Sequence, residues 1–171
     1  MKSIFGKLLI LGAIVTIVSC NKDDLTKATQ KGANTFSCKV NGNIFKPFHE
    51  AGLFNDPTVL SVRNDVQGGF GVSAENQESS ESVFLESPYL TKTGVYKLYA
   101  EHPNRGIYNY RIITGNDPGV YTTDSTYTGE LTITRCDTVN GIYSGTFYFT
   151  AYDPATDKTV SVTDGRFDIK E

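Results

Sequence analysis

The most chemically distinctive residues in this chain are its three cysteines, and the first of them, Cys20, stands in a setting that marks it for alkylation. Lys2 and Lys7 give a basic start, Leu8 to Val18 form an almost purely apolar run of 11 residues, and Ser19-Cys20 closes it. This is the order of a secretory signal ending in a lipobox, in which a small residue precedes a cysteine that can receive diacylglycerol before cleavage ahead of it. The thiol then becomes a thioether. The apolar run is too short for a spanning helix, which needs about 20 residues. The alternative is an ordinary cysteine at the end of a cleaved signal or of a membrane anchor. Burial of an acyl chain contributes about 0.8 kcal/mol per CH₂, so the two or three chains of a lipoprotein anchor hold stably where one holds only marginally.

Cys38 and Cys136 are the other two cysteines, and in an oxidising compartment they form a candidate disulfide. Against a bridge, Cys38 shares the parity of Phe36 and Val40, whereas Cys136 is out of phase with Leu131 and Ile133. His49 and His102, the only histidines, have no metal-ligand spacing and read as loop residues. Asp153 and Asp157 are too few oxygen ligands for a calcium loop and read as a hairpin. Asp164, Arg166 and Asp168 alternate as a solvated charge ladder would on one strand face. No nucleophile elbow, phosphate loop or dinucleotide fingerprint is present, so no catalytic residue, metal or cofactor is expected. Ten Tyr, ten Phe and no Trp leave the aromatics as the remaining hint. Tyr99, Tyr148 and Tyr152 fall out of phase with their strands' inward residues, forming a possible binding surface for sugar rings or a protein; packing as cross-strand pairs is the alternative.

Residues 1–19 are thus expected to be a signal peptide, residues 20–34 a lipidated cysteine and flexible tether, and residues 35–171 one domain. Asn21 to Gly32 holds a single large apolar residue, Leu25, too little to offset the entropy of ordering. Within it, Lys22, Asp23 and Asp24 resemble the lysine-plus-acid export signal that sends Bacteroidota lipoproteins to the outer face of the outer membrane; a solvated charge run is the bland alternative. Losing the signal removes Lys2 and Lys7 and no acid, which moves the net charge from −3 to −5 and argues against nucleic acid as a partner.

The domain that must position these residues reads as all-β. From Thr35 onward short alternating runs are bounded by Gly, Pro, Asn or Asp, and Asn41-Gly42 is a strong hairpin signal. Ile142 to Tyr152 sends Tyr143, Gly145, Phe147, Phe149 and Ala151 to one face. In the last run Val160 and Val162 are even while Phe167 and Ile169 are odd, so keeping all four buried requires a bulge, expected at Asp164-Gly165 with Gly165 at positive φ. About nine strands suit an antiparallel β-sandwich, with a lipocalin-like closed barrel as the alternative.

Thr35-Phe36-Ser37-Cys38-Lys39-Val40-Asn41-Gly42, Ser144-Gly145-Thr146-Phe147-Tyr148-Phe149 and Thr163-Asp164-Gly165-Arg166-Phe167-Asp168 together resemble an uncharacterised family of small Bacteroidota lipoproteins. The resemblance implies the compartment and the fold, and no catalytic residue. The resulting expectation is a non-catalytic, lipid-anchored envelope protein, structural or adhesive, on the outer membrane. Its partners are the membrane through its lipid and either a glycan or a surface protein. A binding module for a glycan or small hydrophobic ligand is the alternative, and an enzyme the weakest class.

Overall fold

The computed structural model describes residues 24–49, 60–64, 70–87, 90–99, 105–110 and 119–171, and all its regular structure is β. The strands are β1 (Thr35–Val40), β2 (Asn43–Phe45), β3 (Leu60–Asn64), β4 (Phe70–Asn76), β5 (Glu81–Ser87) and β6 (Gly94–Leu98). They continue with β7 (Arg105–Tyr110), β8 (Gly119–Thr122), β9 (Gly129–Asp137), β10 (Ile142–Asp153) and β11 (Lys158–Lys170). Eleven strands among the described residues exceed the expected nine chiefly because β8 gave no alternating signal of its own. The Asn41-Gly42 turn has both residues at positive φ, 48° and 84°, as a two-residue hairpin of matching twist requires.

All ladders between strands are antiparallel. Hydrogen bonding runs β2-β1-β11-β10-β8-β7-β5-β4-β3, and β9 pairs both β10 and β6. The sheet therefore forks at β10: Ile142 to Phe149 pair with β9, and Tyr152, further along the same edge, pairs with Thr122 of β8. One layer is β2-β1-β11-β10-β9-β6, the other β8-β7-β5-β4-β3, and β10 passes from one to the other at a corner. Their inner faces meet where Phe70 of β4 lies 5.4 Å from the Tyr143 ring and 6.2 Å from that of Phe167. Among the described residues the end strands β2 and β3 do not pair with each other, so the barrel alternative is set aside and the fold is a β-sandwich. An isolated bridge from Phe48 to Asn76 pins the chain at a second corner.

Alternation holds along β10, where Tyr143, Phe147, Phe149 and Ala151 are all buried while Thr146 and Tyr148 face out. Each large apolar side chain so buried contributes about 1.5 to 3 kcal/mol. Val160, Val162, Phe167 and Ile169 are buried too, and the phase slip that allows this is a bulge. Phe147 faces Gly165 while Phe149 faces Val162, and on the other side Ser37 faces Arg166 while Lys39 faces Thr163. Asp164 is the extra residue in both ladders. It, and not Gly165, takes the positive φ, 53°, which corrects the expectation. Aspartate tolerates this region better than most side chains, and at the exposed surface Asp164 Oδ2 reaches Lys39 Nζ at 2.8 Å. Gly165 is required for another reason: a Cβ there would lie 2.5 Å from the Phe147 ring.

Candidate functional site

The outer face of the β6-β9-β10-β11-β1 layer carries the polar residues that alternation directs away from the core, and residues 26–34 lie across part of it. This strap is fastened along its length. Thr26 donates its backbone N–H to Ser37 Oγ at 2.9 Å, with the two hydroxyls 2.8 Å apart. Asp168 accepts five hydrogen bonds: from the Thr29 hydroxyl, from the backbone N–H groups of Lys31 (2.9 Å), Gly32 (2.8 Å) and Ala33 (3.2 Å), and from Ser144 Oγ at 2.8 Å. Asn34 Oδ1 then accepts from Lys170 N–H at 2.8 Å, and Arg135 donates to Gln30 O. Where the sequence suggests a flexible tether as far as residue 34, Thr26 to Asn34 is held against the domain.

Three successive backbone N–H groups converging on one anion form a nest, and Gly32 at φ 71° supplies its left-handed residue. A Cβ at position 32 would also lie 2.9 Å from Lys170 Cβ. Asp168 is 1% exposed, so it is no member of a solvated ladder with Asp164 and Arg166. Burial by itself would raise its carboxyl pKa, but the bonds from Thr29, Lys31, Ser144 and Gly32 outweigh that and hold it well below the ordinary carboxylate range. Asp153, also buried, accepts from Ala155 N–H and Thr156 Oγ1 and closes the expected hairpin.

Between the strap and β9 lies an open groove of about 480 Å³. Ala28 forms one wall, and Glu130, Thr132, Thr146, Tyr148, Asp164 and Arg166 line the rest. Thr132, Thr146 and Arg166 are directly opposed on three adjacent strands, and Glu130 opposes Tyr148 one rung along that face. Arg166 donates to Thr26 O and Asp164 O at 3.3 Å each, and Lys97 approaches Glu130 at 3.5 Å.

Of the three tyrosines singled out by sequence, only Tyr148 lines this groove, with 52% of its surface exposed. Tyr152 lies further along the same face of β10, stacked on Tyr127 at 5.1 Å and donating to Asp157 at 2.9 Å, the paired arrangement rather than an open platform. Tyr99 follows the end of β6, is partly buried, and does not line the groove.

Cys38 and Cys136 are free thiols. Strands β11 and β10 separate β1 from β9, which places the two cysteines at least three strand spacings, about 14 Å, apart, twice what a disulfide spans. The phase argument against the bridge fails on its own terms, because a second bulge makes Thr134 the extra residue in β9 and turns Cys136 to face Tyr143 on the core side. Burial, then the Glu81 charge, pushes the Cys38 thiol pKa well up, leaving it unreactive. Of the export triplet, Asp24 is exposed, while Cys20, Lys22, Asp23 and His102 lie outside the described residues. Among the described residues no cluster of three His, Cys, Asp or Glu could hold a metal ion.

Sequence reasoning missed the strap and the burial of Ser37, Ser144 and Asp168 beneath it. The available signals were Gly32 and Asn34, both turn-formers, immediately ahead of the first strand. The model of a family described as a domain of unknown function, DUF6252, matches residues 34–168. No curated protein and no solved structure matches the chain.

Proposed function

The chain belongs to the DUF6252 family, and from that premise we propose that it is a lipoprotein of the bacterial cell envelope, acylated on Cys20 and displayed on the outer membrane, with a non-catalytic structural or adhesive role. The observation that carries this reading is the order of basic start, short apolar run, small residue and cysteine at residues 2–20, followed within six residues by a strap fastened to a β-sandwich. A signal of that composition delivers a chain across a membrane, and the cysteine keeps it there. The resemblance to small Bacteroidota lipoproteins and the Lys22-Asp23-Asp24 triplet support the address.

Metabolic labelling with a palmitate analogue tests the assignment. The wild type should take up label, and Cys20→Ala should lose it and accumulate as unprocessed precursor. Label retained by Cys20→Ala would overturn the assignment. One observation favours a second reading, a binding module: an exposed aromatic ring, Tyr148, stands over an open groove.

A further inference from the structure

We propose that the groove beside Tyr148 binds one neutral sugar ring of a glycan chain, an inference that rests on the adhesive reading and specifies its ligand. Its shape suits part of a longer polymer. The groove is open along the sheet surface, so a chain can enter and leave at its ends, and its volume of about 480 Å³ is within the range of small-molecule sites.

Its chemistry selects a polyol. Asp164 is paired with Lys39 at 2.8 Å, Arg166 is turned to two carbonyl oxygens, and Glu130 faces Lys97. Asp164 and Glu130 each face a lysine and two of the Arg166 N–H groups are already donated to carbonyls, so the groove presents no cluster of cations to a phosphate or sulfate group. Two threonine hydroxyls, Thr132 and Thr146, lie side by side on adjacent strands, and each can donate and accept, as a vicinal diol does. Glu130 retains acceptor capacity beyond its long contact with Lys97.

Tyr148 supplies the remaining element. Its ring is half exposed at the rim, a flat apolar face next to hydroxyls and a carboxylate, which is what the mixed apolar and polar faces of a pyranose require. Phe147 and Gly165 complete the groove, and the bulge at Asp164 bends β11 beside it. A small hydrophobic ligand is the poorer fit, because this site is an open groove on the sheet surface and not a cavity that could enclose it.

The test uses the full acylated chain in detergent and ligand-detected saturation-transfer NMR. The probes are the neutral methyl glycosides of glucose, mannose, galactose and N-acetylglucosamine and their oligomers, alongside sialic acid and a sulfated galactoside. At least one neutral probe should bind saturably and better than the charged ones. Tyr148→Ala should weaken it about tenfold and Tyr148→Phe by less than about threefold, since the ring face is what matters. Arg63→Ala, which alters a smaller cleft on the other layer, should change nothing. No binding by any neutral probe, equal binding by Tyr148→Ala, or preference for the charged sugars would overturn the proposal. Acylation of Cys20 is read without sugar, so failure here leaves the envelope assignment standing and the reverse failure leaves the groove.

Discussion

Asp168 makes folding sensitive to acid at a single carboxyl group. Five donors converge on it beneath the strap, and its pKa is held below that of an unfolded aspartate, about 3.9. Because the folded-state value is the lower one, the charged form favours the folded state. Its contribution is fully present above the unfolded pKa and is lost as pH falls through that value toward the lowered one. Denaturant midpoints should therefore be flat near neutrality and fall below about pH 4. Asp168→Asn, whose amide nitrogen cannot accept the backbone N–H groups, should lose about 2 to 3 kcal/mol at neutral pH and flatten the acid limb. An unchanged limb in Asp168→Asn would assign the acid sensitivity to other carboxylates. The residues that matter here escaped sequence reading for a physical reason. The donors at Thr29 to Ala33 are more than 130 positions from their acceptor, and three of them are backbone groups that carry no residue signature.

At the scale of elements, β11 shows how far alternation can be read. The parity change from Val160 and Val162 to Phe167 and Ile169 correctly demands an extra residue, since a regular strand would turn one pair to water. Parity cannot say which residue is extra, and the structure selects Asp164, paired with Lys39, leaving Gly165 to clear the Phe147 ring. Gly165→Val should thus cost more than about 2 kcal/mol through overpacking, whereas Asp164→Gly, which relieves a strained φ, should fold at least as well apart from a lost surface ion pair. Thermal unfolding of the two variants checks this, and a tolerated valine would show that Phe147 moves aside. The same limit explains Cys136, whose inward position follows from a bulge at Thr134 with no Gly or Pro to announce it. The core and most strands were legible because each inward residue repeats at period two. The groove was legible only as Tyr148, because its other walls come from three strands and the strap.

For the whole molecule, the question is which side of the membrane it meets. Lys22-Asp23-Asp24 argues for the outer surface, so protease added to intact cells should remove the domain, and alanine at all three positions should protect it. Full protection of the wild type would refute the address. The two-layer sandwich has its strap on one face only, and this determines what the protein can reach. The last fastened residue, Thr26, is six positions from Cys20, and at about 3.3 to 3.6 Å per residue a fully drawn-out chain spans no more than about 22 Å. Had residues 20–34 all been slack, the leash would have been more than twice as long. If Cys20 carries lipid, the domain is held within that reach of the bilayer, and the Tyr148 groove, walled on one side by Ala28 of the strap, is held there with it. A partner of the groove would then have to lie against that membrane or come down to it.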